Sequence, residues 1–397
     1  MKPQPHDAVL GGIQPTPSGA VVLGGLSGVQ QRWKHANPDH RLLALAQMPL
    51  YGSAGLKLLL SALHDPHPRV QLQALRQLWH RPEPQVKHAL QGFWHYQLWD
   101  CQQTLIKHTE PITALALTAD GNTLLSTGED GTIYVWQIAT GEIIATLSGH
   151  SHMVTALALC PHTATLYSSS RDRTILVWDL THFCLRQKLT GHLGYVNSVA
   201  VTPDGKQLVS GSQDTTIKIW DVSTGEAIRT LRGHTNLVAG ITLSADGQTI
   251  ASCSYDTTIR TWDLTSGTPI WEFIGHSARV LSFAISPNGK ILASGSLDTR
   301  IMIWDLETGQ EVTTLEGHWG WVKALAFSSD GKVLISASYK TIKCWDMTTY
   351  TEITSLSGHK DLINAIALSA DNQILVTGGA DCLIQVWRIP EIPITQI

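Results

Sequence analysis

Serine, histidine and aspartate recur together along this chain at a fixed spacing, and those are the residue types of a nucleophilic triad. His192, Ser210 and Asp214 form one such set, with Trp220 close behind. A triad needs a serine held open on a strained turn, an adjacent histidine base and an oxyanion site. The recurrence argues against one. Trp136, Trp178, Trp220, Trp262, Trp304, Trp345 and Trp387 are separated by 42, 42, 42, 42, 41 and 42 residues, and the same serine and aspartate precede most of them. A strict period of this size marks a repeat architecture, which must be settled before any local reading.

The elements that hold these residues can be read from one unit, Gly191 to Arg232. Tyr195 to Val201 alternates as a strand does, and Thr202-Pro203-Asp204-Gly205 is hairpin-turn chemistry. Gln207 to Ser210 gives a second strand, and Gln213-Asp214-Thr215 a second turn. Thr216 to Trp220 is a third strand, Ser223 to Glu226 a turn, and Ala227 to Leu231 a fourth strand. Four antiparallel strands in about 42 residues make one propeller blade. Seven units follow one another. After Trp387 the chain has only a short tail, so the seventh blade lacks an outer strand. A spare strand stands before the first unit, at residues 100–106, and is expected to complete that blade.

Residues 99–389 resemble the WD-repeat β-propeller family: Gly-His, the turn aspartate and Trp-Asp repeat in register. The resemblance implies a buried hydrogen-bonded tetrad in each blade. The first is His108, Ser126, Asp130 and Trp136; the second is His150, Ser168, Asp172 and Trp178. His192, Ser210, Asp214 and Trp220 form the third, and His234, Ser252, Asp256 and Trp262 the fourth. The fifth is His276, Ser294, Asp298 and Trp304, and the seventh His359, Thr377, Asp381 and Trp387. The sixth has His318, Ser336 and Trp345 but no turn aspartate, since Tyr339-Lys340 stand there. This blade is expected to be the softest, or one turned to contact. Lys107 replaces the glycine before His108, and Gln137 and Arg388 replace the aspartate after tryptophan.

The resemblance also implies that partners bind on the face carrying the loops before the first strands and the second turns. Those positions are unusually aromatic and apolar for exposed loops. Tyr195, Tyr255, Arg279, Trp319, Trp321 and Tyr339 are the expected partner-binding residues, being of the types that dominate interface hot spots. A rival function, an enzyme or small-ligand protein using the central channel, would need converging acids or histidines on the first strands. Those strands offer Thr113, Thr155, Asn197, Ala239, Leu281, Lys323 and Asn364.

The N-terminal quarter differs in kind. Residues 1–30 read as an irregular Gly/Pro-rich arm with an internal echo, Val9 to Ile13 and Val22 to Leu26. Residues 31–98 read as four short helices with Pro-containing turns. Leu59 to Leu75, with its Asp65-Pro66 turn, resembles a HEAT-type repeat, which implies a protein-binding surface; Gln71 stands where that family usually has arginine. The first 98 residues carry nine Lys/Arg against four acids, the remainder 19 against 28. A net charge of −4 gives nucleic acid no global basic field. Eight of the 18 histidines lie in this quarter without metal-ligand spacing, and the six cysteines form no CxxC pair. No signal peptide or membrane span is read. The chain is expected to be mainly β, a seven-bladed β-propeller of four-stranded antiparallel blades after a small helical region. Its expected role is that of a soluble, cytoplasmic interaction scaffold of bacterial style, with other proteins or peptides as partners, no cofactor and no catalysis.

Overall fold

The computed structural model describes residues 25–90 and 95–388. The chain divides into two compact units between Asp100 and Cys101.

The first unit is helical. Its helices are α1 (Gly25–Trp33), α2 (Pro38–Gln47), α3 (Gly52–Ala62), α4 (Pro68–Leu78) and α5 (Pro84–Ala89). Asn37 caps α2, its side chain accepting the Asp39 amide at 2.8 Å, with Pro38 opening the helix. Val29, Leu45, Leu59, Leu75 and Leu78 share one buried core. Helix α1 begins within the arm expected to be irregular and runs past its end at residue 30. Glycines disfavour helix by only about 1 kcal/mol each, and burial of Val29 among the other helices outweighs that. The first copy of the internal echo lies outside the described residues.

The turn between α3 and α4 is built on a buried charge. Asp65 receives Arg41 through Nε at 2.9 Å and Nη2 at 3.0 Å, and the His67 amide at 2.8 Å. A carboxylate is stable at such depth only when its oxygens are paired in this way. Gln71 donates to the Asp65 carbonyl at 2.6 Å, so the position that departs from the repeat pattern still ties down the turn. The stretch Pro38–Ala62 is long and apolar enough by composition to cross a bilayer. A 3-10 turn at Met48–Tyr51 divides it into helices of 10 and 11 residues. Each falls short of the roughly 20 residues a single crossing needs.

The second unit is a propeller of seven four-stranded sheets. The third blade is typical: Val196–Val201, Gln207–Ser212, Ile217–Asp221 and Ala227–Leu231, close to the strands expected from its alternation. Its register sets Leu208 opposite Trp220 and Ser210 opposite Lys218. The first strand breaks register between Val196 and Ser198, and every other blade repeats that irregularity. The seventh blade is closed as expected: Asp100–Ile106 pairs with Leu383–Arg388. The ring is thus joined by strands from opposite ends of the repeat region, which removes the open edge a linear array would leave.

Between blades the core is aliphatic. Val209, Ile217, Leu231, Val238 and Ile250 pack together across the third and fourth. In six blades the glycine before the histidine makes room for the tryptophan behind it. A Cβ on Gly149 would meet Trp178 at 2.9 Å.

Candidate functional site

In six blades histidine, serine or threonine, aspartate and tryptophan are hydrogen-bonded together. Histidine Nδ1 lies 2.7–2.8 Å from the aspartate in the first five blades and 3.0 Å in the seventh. Nε2 lies 2.8–2.9 Å from the serine or threonine hydroxyl. The indole N–H donates to the same hydroxyl at 2.8–3.0 Å. Burial alone would raise the Asp214 carboxyl. Hydrogen bonds from His192 and Thr216, with the Leu193 amide, outweigh it and hold Asp214 well below the usual carboxylate range. Asp172 and Asp256 are held down in the same way. Ser210 is fully buried and already engaged on two sides, so it offers no nucleophile.

Each aspartate also fixes its turn. Arg173, Thr215, Thr257 and Thr299, the next residues in blades two to five, sit at φ of 68–73°, where side chains beyond glycine are strained. The aspartate accepts the amide one residue further on, at 2.9–3.0 Å, and so pins that conformation.

The sixth blade keeps half of this. Ser336 lies 2.7 Å from His318 Nε2 and accepts Trp345 Nε1 at 2.8 Å. His318 Nδ1 and Ser338 Oγ are both buried with no hydrogen-bond partner. Burial, with Lys343 adding to it, pushes His318 down to about 4. The turn is one residue shorter, and Ser338 pairs directly with Thr341 around Tyr339-Lys340. In the other six blades the amide before the aspartate donates to the loop ahead of that blade's first strand, as Gln213 does to Tyr195 at 2.8 Å. Here the Tyr339 carbonyl instead accepts from Ile363 of the seventh blade at 2.9 Å.

Those backbone bonds bring the loops before first strands and the second turns onto one face. The expected contact residues divide between two places on it. Tyr195 and Tyr255 line a central channel of about 650 Å³, with Arg171 5.7 Å from the Tyr195 ring and Arg279 4.7 Å from the Tyr255 ring. Trp319 lines a separate groove of about 390 Å³ beside the fifth blade. Trp321 and Tyr339 belong to neither, but both are more than half exposed. Leu193, 83% exposed, was not singled out by sequence reasoning. It stands directly after His192, as Trp319 does after His318, where the other blades carry Thr109, Ser151, Thr235, Ser277 and Lys360. An apolar residue at a polar position was the available signal.

Inside the channel the first-strand polar groups bind neighbouring blades. Thr155 donates to the Val196 carbonyl at 2.6 Å, Asn197 to Val238 at 2.9 Å and Asn364 to Ile112 at 2.8 Å. Lys323 donates to Asn364 at 3.0 Å, and burial lowers its basicity against the opposing pull of Glu129. Among the described residues no group of three or more His, Cys, Asp or Glu side chains is placed to hold a metal.

Seven segments match the family described as WD domain, G-beta repeat: residues 99–137, 141–179, 183–221, 225–263, 267–305, 309–346 and 350–388. The chain belongs to the WD-repeat family. WD-repeat propellers are generally protein-interaction scaffolds. No curated protein matches the chain. The shorter sixth segment of this WD-repeat chain is the blade that lacks its aspartate.

Proposed function

We propose that this WD-repeat protein is a non-catalytic scaffold whose loop face grips another protein or a peptide, with the HEAT-like helices as a second docking surface, in the cytoplasm. The observation that carries the reading is the exposure of apolar side chains on that face. Trp319 is 99% exposed, and Leu193, Trp321 and Tyr339 stand out from the same loops. A fully solvated indole in an ordered loop is a ready anchor, because aromatic anchors dominate interface energetics. The channel supports the reading by default. Its polar strand residues are occupied in joining blades, and its one strand ammonium is held by Asn364.

The test is affinity capture with the wild type beside a Trp319→Ala/Tyr255→Ala/Tyr339→Ala variant of equal thermal stability. The variant is expected to lose at least ten-fold in recovery of specific partners. Equal recovery by both proteins would contradict the reading.

A further inference from the structure

The sixth blade has lost one residue of its second turn, and with it one tetrad member. In each other blade an aspartate carboxylate accepts from the histidine Nδ1. In blades two to five the serine at the place of Ser338 takes part in the same turn. Ser170, Ser212, Ser254 and Ser296 each accept the aspartate amide at 3.0–3.1 Å. Deletion of that one residue from the sixth turn removes a carboxylate and an amide together. What remains is a polar pair, His318 Nδ1 and Ser338 Oγ, in residues that are 7% and 1% exposed, with no partner for either atom.

The loop before the sixth blade's first strand lies less tightly against its turn than in the third blade. In the third blade a Cβ placed on Gly194 would meet the Asp214 amide nitrogen at 2.7 Å. In the sixth, a Cβ on Gly320 would find its nearest neighbours, Ser338 Oγ and Tyr339 Cβ, at 3.3 Å. Exposed Tyr339 and Trp319 flank the place, and His318 and Trp319 both line the 390 Å³ groove that opens beside it. The Lys340 ammonium stands 5.1 Å from the Tyr339 ring centroid, at the same turn.

The chemistry of the missing group identifies the missing ligand. A neutral imidazole whose Nε2 accepts from Ser336 carries its proton on Nδ1, and a serine hydroxyl also donates. Two buried donors without a partner, with a lysine at the same turn, suit an anionic acceptor the size of a carboxylate. Elsewhere the amide of the residue after the histidine adds a third bond, as Leu193 donates to Asp214 at 2.9 Å. Trp319 occupies that place here.

We propose that the sixth blade is completed in trans: an aspartate or glutamate side chain of a bound partner protein enters the second turn and accepts from His318 Nδ1 and Ser338 Oγ. This rests on the loop face being the partner-binding surface and names what that surface recognises. Trp319 and Tyr339 then close over the entering segment, and the partner supplies the tetrad member that the chain lacks.

A phage-displayed library of disulfide-closed heptapeptides tests it. The library is panned at pH 7 on the full wild-type chain, on a variant with one aspartate inserted between Tyr339 and Lys340, and on Trp319→Ala. The inserted aspartate completes the tetrad in cis and fills the site. A higher melting temperature for that variant shows that it has folded with the tetrad formed. The expected result is a family of peptides with one fixed Asp or Glu, which loses at least ten-fold in affinity when that residue becomes Asn or Gln and at least ten-fold on the insertion variant. Panning that yields no carboxylate-dependent binder, or binders that hold the insertion variant equally well, overturns the proposal. Binders that need no carboxylate but are lost on Trp319→Ala sink this inference and leave the interaction face standing. Binders indifferent to Trp319 would instead count against the face. Competition by millimolar inorganic phosphate but not by acetate would mark a phosphate site and also overturn it.

Discussion

Asp214 and Tyr339 occupy the same kind of turn and carry opposite consequences. Asp214 is bonded to His192, Thr216 and the Leu193 amide, and hydrogen bonds to a charged group are worth about 1.5–3 kcal/mol each. Asp214→Ala should therefore destabilise the propeller by about 2–3 kcal/mol. Tyr339→Ala should stay within about 0.5 kcal/mol, because its ring is half in solvent. Chemical denaturation of both variants checks the pair. The serines give a finer contrast. Ser296 Oγ donates to the Ala278 carbonyl and accepts the Asp298 amide, whereas Ser338 Oγ has neither bond. Ser296→Ala should destabilise by about 1 kcal/mol, while Ser338→Ala should be neutral or stabilising. His318 adds a pH signature. Its folded value, about 4, lies below the unfolded value near 6.5, so the unfolded chain binds the extra proton between them. Its contribution to stability is whole above pH 6.5 and is lost as pH falls toward 4. Inserting aspartate after Tyr339 should flatten that part of the pH–melting curve, and an unchanged slope would show that His318 is not its source. The depressed tetrad aspartates act lower. Their contribution is complete above about pH 4, the unfolded aspartate value, and falls away below it.

At the scale of elements, the blades were legible because three signals coincide in each: strand alternation, turn chemistry and a fixed period. Ala227 to Leu231 was read and observed with the same bounds. The closing strand was legible too, since an outer strand was missing at one end and spare at the other. Helix α1 was not legible, because its glycines argue against a helix and only tertiary burial of Val29 supports one. The division of the contact residues between channel and groove was equally hidden. Tyr195 and Trp321 precede their first strands by the same step, but only the folded ring shows that Tyr195 lines the channel. The orphaned Ser338 hydroxyl could be found only once its partners in other blades were seen. The sixth blade, lacking the bond that pins its turn, should exchange its amides around Tyr339-Lys340 faster than the Asp298 turn exchanges those of Thr299-Arg300. Hydrogen-exchange mass spectrometry resolves the two segments. Closure has its own test. A chain beginning at residue 99 keeps the strand Asp100–Ile106, and one beginning at 107 exposes Leu383–Arg388 as an edge. The shorter chain should melt lower and associate with rising concentration, since a bare edge recruits another strand.

Beyond the helical unit the molecule is a repeat whose recurring parts are structural, and the proposed function rests on its differences. Six complete tetrads brace the ring, and a braced ring lowers the ordering cost that anchors on one face would carry on binding. Leu193, Trp319, Trp321 and Tyr339 are the proposed anchors, and the shortened sixth turn lies among them. On the proposed function this face, not the channel strands or the outer strands, receives the partner. The most direct measurement is hydrogen exchange on the full chain with and without a captured partner at saturating concentration. Protection is expected at the loops around 193–195, 235–237, 319–321 and 339–340, with little change along the outer strands Ala227–Leu231 and Glu311–Leu315. Protection confined to those outer strands, with the 319–321 loop unchanged, would contradict it.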